Sequence, residues 1–279
     1  MEIEKWSDIA PSFIRVPITA YKYRTLIQKW WKKSLAYANR GDTNVVVLGR
    51  SNVGKSVMMA YLYGESNDMS WKLPTEPSNE VEVGTLTLGA WTKLIRVVPG
   101  QAFAKRFKGL NEAFNKHENL EGVIYVADWG FTDQRDPVAK NIYIEDDKID
   151  SIDKLRELNL SEELKDFRTV CNKIKEAFAI GKAPKWLLIV ANKSDLFFSE
   201  NELNKAQNYY HPKGQSPFSK IIQELLEQVG EQNLKCASLP LCSYEKSLEW
   251  NKEKIETKIK GEENRKALAM HFFHKIANF

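Results

Sequence analysis

Gly49, Gly54, Lys55 and Ser56 occupy the fixed places of a G-x-x-x-x-G-K-S run in "GRSNVGKS" (49–56). The run follows the apolar stretch "NVVVLG" (44–49) and leads into residues 54–63, which read as a helix. The chemistry such spacing serves is phosphate binding. Backbone N–H groups of the loop and the positive end of the helix face phosphate oxygens, the lysine neutralises β/γ charge, and the serine hydroxyl can bind Mg²⁺. Ser51, Asn52, Val53 and Val57 fill out the same loop and the first helical turn, so they join the expected nucleotide contacts.

A second polar group ends another apolar run. "PKWLLIVANKSD" (184–195) closes on Asn192, Lys193 and Asp195. A carboxylate at that place accepts two hydrogen bonds from guanine, at N1–H and the exocyclic amine. Adenine offers neither in that geometry and leaves the acid unpaired at a cost of roughly 1–3 kcal/mol. Lys193 is expected to lay its aliphatic stem on the base, and Asn192 to tie this loop to the phosphate loop. The base is therefore expected to be guanine, with GTP/GDP and Mg²⁺ as the ligands.

With both motifs in place the sequence resembles the Ras-like GTPases, and within them the ADP-ribosylation-factor group and the signal-recognition-particle receptor beta subunit. The resemblance spans about residues 44–279 by motif order. It implies that the backbone at Ala237 and Ser238, in "KCASLPLCSYEKSLEW" (235–250), contacts guanine ahead of another helix. It makes "PTEPSN" (74–79) the first switch, with Thr75 as the second hydroxyl on Mg²⁺ beside Ser56; Thr85 and Thr87 stay open as alternatives. The second switch departs from the family's D-x-x-G. In "VVPGQ", Val97 stands where the aspartate would be, ahead of Gly100 and Gln101. Valine supplies no lone pair for a water held by Mg²⁺. Gly100 still offers its N–H to a γ-phosphate, and Gln101 stands where it orients the attacking water, with Lys55 as the second catalytic group. Slow hydrolysis follows as the expectation, with a non-hydrolysing pseudo-GTPase subunit as the alternative. The loop wording also resembles ribosome-assembly and tRNA-modification GTPases. In some of these the asparagine at the place of Asn52 helps hold potassium; loop-shaping is the favoured role here. Arg50 is not placed as an arginine finger.

These motifs require a scaffold. Apolar runs at 44–49, 121–129, 184–195 and 233–239 alternate with helical patterns at 54–63, 161–182, 216–230 and 262–279, and 80–89 with 92–100 suggests a hairpin. Such alternation predicts an α/β fold, a mostly parallel central sheet with helices on both faces, whose ligands lie beyond the carboxyl ends of the strands. Ser161 is expected to cap the 161–182 helix, with Gly181 near its end. The domain is expected to run over 44–279, with 130–159 as a polar, acidic insertion. Residues 1–43 read as an extension holding a basic amphipathic helix (20–41). Tyr23, Leu26, Ile27, Trp30, Leu35 and Ala38 lie along one stripe of it, and Trp31 lies off that stripe.

Composition sets bounds. In 279 residues, 43% are hydrophobic and 28% charged, a balance that supports a packed core. A net charge of +4 argues little for nucleic acid, although an RNA- or ribosome-associated factor stays open. Cys171, Cys236 and Cys242 form no metal-ligand spacing, and no apolar run approaches the ~20 residues of a bilayer span. A cytoplasmic protein is expected, acting through a protein partner at its switches, N-terminal helix or insertion; peripheral membrane contact through that helix is the further expectation. His271 and His274 lack a third ligand. The run from Glu145 to Asp153 lacks the glycine and closing glutamate of a calcium loop and reads as a solvated face.

Overall fold

The computed structural model describes residues 5–6, 45–65, 72–73, 82–88, 91–98, 111, 114, 120–259 and 261–279. Its centre is a six-stranded sheet ordered β2-β3-β1-β4-β5-β6. The strands are β1 (Val45–Leu48), β2 (Glu82–Leu88), β3 (Trp91–Val97), β4 (Gly122–Ala127), β5 (Trp186–Ala191) and β6 (Lys235–Pro240). Every pairing is parallel except β2 with β3, which forms the expected hairpin. β1, β4 and β5 are buried along their whole length, which is why they read as unbroken apolar runs rather than alternating ones.

Helix α1 (Lys55–Tyr63) follows β1. After β4 come α2 (Pro137–Glu145) and α3 (Ile152–Ala179); after β5 a 3-10 turn (Ser194–Leu196), α4 (Glu200–Tyr210) and α5 (Pro217–Val229); after β6, α6 (Glu262–Ala277). The chain leaves β1 toward β3 on one side and leaves β4 toward β5 on the other. Right-handed crossovers in opposite directions put α1 and the α3–α5 layer on opposite faces. Phe167 of α3 and Phe218 of α5 stack at 4.0 Å against Tyr125 of β4. Such pairs add about 0.5–1.5 kcal/mol each beyond the area they bury. On the α1 face, the Arg265 guanidinium of α6 lies over the Tyr61 ring at 5.0 Å. The α/β architecture expected from the alternation is the one observed.

Helix α3 corrects one boundary. It starts nine residues before Ser161, which lies exposed inside it, and its N-cap is Ser151, whose hydroxyl accepts from the Lys154 N–H. Ile152, Leu155, Asn159, Glu163, Phe167, Val170 and Ile174 form one buried stripe. Two of these seven are polar, so the apolar periodicity breaks where the helix does not. Gly181, at φ 72, does follow its end.

Much of the 130–159 stretch is thus helical, as α2 and the start of α3. It is clasped by a second sheet, β7 (Leu248–Trp250) with β8 (Glu253–Ile255). Trp250 Nε1 donates to Ile149 O at 2.8 Å, Asn251 Nδ2 to Asp150 O at 2.9 Å, and Ile152 N to Glu253 Oε2 at 2.7 Å. From the N-terminal extension only Lys5 and Trp6 are described. Trp6 is buried, donating from its backbone N–H to Gln207 and from its indole to Ser238 O. The expected helix over 20–41 lies outside the described residues. No helix among the described residues is long and apolar enough to cross a membrane.

Candidate functional site

The strand order reverses beside β1, and the loop at its carboxyl end carries the glycine motif, where ligands of open α/β sheets bind. Gly49 has φ 140, and a Cβ there would stand 2.2 Å from Val126 O of the neighbouring strand. Gly54 has φ 92, and a Cβ there would stand 2.6 Å from the Asn192 side-chain amide. Both glycines are demanded by backbone conformation and by close approach together. Asn52 also sits in the left-handed region, at φ 62, and its amide donates to Asp133 O at 3.4 Å, a loop-shaping contact. Lys55 is buried, and its Nζ donates to Gly49 O (2.9 Å) and Arg50 O (2.7 Å), so the ammonium is held inside the curl of the loop. Ser56 lies in the first turn of α1, and Val53 and Val57 are buried beneath the loop. Arg50 points away, donating to the backbone and side-chain oxygens of Asn159 on α3 at 2.9 and 3.3 Å.

The second loop leaves β5. Asn192 is buried and joins three segments: its Nδ2 donates to Val53 O at 3.0 Å, and its Oδ1 accepts from the Ser243 hydroxyl (2.8 Å) and N–H (3.3 Å). The expected tie between the loops is present. Asp195 is 1% exposed. Its Oδ2 accepts from Lys246 N at 3.1 Å, and its Oδ1 is buried with no hydrogen bond among the described residues. The neighbouring Thr257 hydroxyl and Cys242 thiol donate elsewhere, to Ile259 O and Tyr244 O. Burial raises the Asp195 pKa above its ordinary value, against the opposing pull of the Lys246 N–H and of the Thr257 hydroxyl and Cys242 thiol beside it. A ligand presenting two adjacent donors would satisfy Oδ1 and favour the ionised form. The donor set therefore fits a guanine edge at Asp195 and phosphates at the glycine loop, with Ser56 as the described hydroxyl for Mg²⁺.

Two expected contacts are corrected. Ala237 and Ser238 lie in the middle of β6, paired with Leu188 and Ile189, whereas the base loop starts beyond Ala191, which pairs with Pro240. At about 3.3 Å per residue, Ala237 is roughly 10 Å short of the carboxyl edge of the sheet. The segment that reaches Asp195 is Ser243–Leu248, and β7 follows it where a helix was expected. The register of β6 decides this, and nothing local in the sequence displays a register.

Thr75, Gly100 and Gln101 fall outside the described residues. Thr85 and Thr87 lie on β2, opposite Leu94 and Thr92. Val97 is buried at the end of β3, paired with Val47 of β1, one strand over from the glycine loop.

Several residues went unread in the sequence. Asp128, 1% exposed at the carboxyl end of β4, receives the Lys193 ammonium at 2.7 Å and the Thr132 hydroxyl at 2.8 and 2.9 Å to its two oxygens. The rule that singles out Asn192–Asp195, polar residues closing an apolar strand, would also have found "ADWG" (127–130). Asn159 donates to Gly130 O and Thr132 O, both at 2.9 Å, and so joins the β4 loop to Arg50. Behind them Tyr210 donates to Glu163 Oε1 at 2.9 Å while accepting from Trp129 N. Burial, with the Asp128 charge adding to it, pushes the Glu163 carboxyl up to about 8.

Two cavities flank the loops. One of 770 Å³ lies on the outer side of the glycine loop, between Arg50–Asn52 and the α2–α3 segment. The other, over the base loop between Lys193, Asp195 and Tyr244, measures 80 Å³, below the ~300 Å³ where ligand pockets begin. Seating a purine there would require part of that lining to move.

No protein-family model matches the chain, and no curated protein does. Among solved structures it is similar to a dimerization-deficient mutant of Toc33 from Arabidopsis thaliana, at 14% identity and a TM-score of 0.42, over 85% of this chain and 83% of that one. A likeness at this level leaves the fold to rest on the strand order and register described above.

Proposed function

We propose that this chain binds guanine nucleotide as a Ras-like GTPase related to the ADP-ribosylation-factor group, and cycles slowly between GTP and GDP with Mg²⁺ on Ser56 and Thr75. The observation that carries the reading is Asp195. Its buried carboxylate holds one oxygen without a hydrogen bond, at the end of a strand whose Asn192 is tied to the glycine loop. An unpaired buried acceptor costs roughly 1–3 kcal/mol, and a guanine edge supplies the missing donors. Lys55 and the α1 N-terminus supply the positive field for phosphates. Gln101 orients the water and Gly100 meets the γ-phosphate in this reading. Slow turnover follows from Val97, which offers no carboxylate to the metal. The protein is read as cytoplasmic and as acting through a protein partner at its switches, extension or insertion.

The second reading, a nucleotide-holding scaffold subunit without turnover, is favoured by the burial of Val97 as one more apolar strand residue. Incubating excess protein with GTP and Mg²⁺, then measuring bound nucleotide and its GTP:GDP ratio over time, separates the two. Conversion that stops in Gln101→Leu supports the cycling switch. GTP that stays intact for hours supports the scaffold, and failure to retain any guanine nucleotide removes both.

A further inference from the structure

We propose that Asp128 is a positioning residue of the base site, acting through Lys193 to set the affinity for both nucleotide states. The proposal rests on the guanine reading above. Lys193 starts from a left-handed backbone, φ 56, a conformation uncommon for a residue with a side chain, pinned on either side by Asn192 N to Ala127 O (2.8 Å) and Leu196 N to Lys193 O (3.0 Å). Its Nζ reaches from the end of β5 to the end of β4, where it donates to Asp128 Oδ2 (2.7 Å) and Phe131 O (2.9 Å). The side chain is 22% exposed and Asp128 1%, so the pair is shielded and screened little by salt. With both ends held, the methylene stem is one wall of the cavity that Asp195 and Phe131 also line. A stem of four rotatable bonds left unanchored would have to be ordered by the nucleotide itself. Anchoring removes that cost from binding.

Thr132 explains how the carboxylate keeps its aim. Its hydroxyl bridges both Asp128 oxygens, and its carbonyl accepts from Asn159, which also bonds Arg50 of the glycine loop. A role confined to the core would show in stability. A positioning role shows in nucleotide affinity, and only while Lys193 is present to transmit it.

The test is a double-mutant cycle on the full chain. Dissociation constants for GDP and GTP, and the melting temperature, are measured for wild type, Asp128→Asn, Lys193→Ala and the double variant. Asp128→Asn keeps the shape and removes the charge. The expected result is a loss of about tenfold for GDP and GTP alike, with the double variant no weaker than Lys193→Ala alone. Additive losses, or constants within twofold of wild type despite a lowered melting temperature, would overturn the proposal. Should Asp128→Asn fail to fold, Thr132→Val takes its place, with a loss of about threefold expected that vanishes in the Lys193→Ala background. A wild-type chain that binds neither nucleotide overturns the guanine reading together with this one. A wild type that binds both, with a silent Asp128→Asn, overturns this one alone.

Discussion

The glycine loop and the base loop are built in opposite ways. In the first, the chemistry is local: Lys55 bonds Gly49 and Arg50, six and five residues back, and the helix that completes the loop is the next element. In the second, every functional side chain is held from far away. Asn192 meets Val53 across 139 residues, Lys193 meets Asp128 across 65, and Asp195 meets Lys246 across 51. A loop curled around its own lysine takes most of its shape from residues in order, with Arg50 and Val53 tying it to Asn159 and Asn192. A loop made from distant partners needs the sheet to be assembled before any of its groups is aimed. The shape of the glycine loop is thus written largely in eight consecutive residues, and the aim of Asn192, Lys193 and Asp195 in the fold.

Experiments can break or sharpen that contrast. The largest effect is expected at Asp195. Asp195→Asn should weaken guanine nucleotide by about 10³-fold and turn preference toward xanthine, whose C2 carbonyl matches the new amide N–H; competition binding with the two nucleotides checks this. Lys55→Ala should weaken GTP by about 10²-fold with a smaller loss for GDP, since the lysine meets β/γ charge; titration with each nucleotide reads the difference. Asn192→Ala attacks the tie between the loops. It leaves Val53 O and Ser243 without their partner, so about 1–3 kcal/mol of stability should go, measured by urea unfolding, and nucleotide should weaken with it. A variant that loses affinity with stability unchanged would show that the two loops are held independently.

Glu163 tests the packing behind the base loop by pH. Its folded pKa is about 8, above the ordinary 4.5, so the group favours the folded state when protonated. That stability is fully present below about 4.5 and is lost as pH rises to about 8, at up to ~1.4 kcal/mol per unit. Glu163→Gln keeps an acceptor for Tyr210 and should flatten the pH dependence of the melting temperature across that window. The smallest effect is at Ser151, whose hydroxyl caps α3; Ser151→Ala should cost ~1 kcal/mol in thermal unfolding and leave nucleotide binding unchanged.

How much was legible follows the same division. The buried strands β1, β4 and β5 announced themselves as apolar runs, and the hairpin of β2 and β3 was read from two neighbouring ones. Helix α3 was legible only from Ser161 onward, because Asn159 interrupts its apolar stripe and Ser161 reads as a cap; Asn159 is satisfied by partners on the β4 loop and the glycine loop, and Glu163 by Tyr210 of α4. Helix α4 and the β7–β8 sheet went unread. The expected guanine contacts at Ala237 and Ser238 failed on register alone, since a strand's pattern shows that it is buried and not how far it slides along its neighbour.

By itself, then, the sequence determined the alternating α/β order, the glycine loop and the acid that closes β5, because each is written in residues adjacent along the chain and in the conformations those residues permit. Only the tertiary structure decided that Lys193 is held by Asp128, that Arg50 turns to Asn159 rather than into the site, and that Ser243–Leu248 closes over Asp195. Those pairings join residues tens to more than a hundred positions apart. They exist only once parallel strands have set their register and buried the charges that must then find partners.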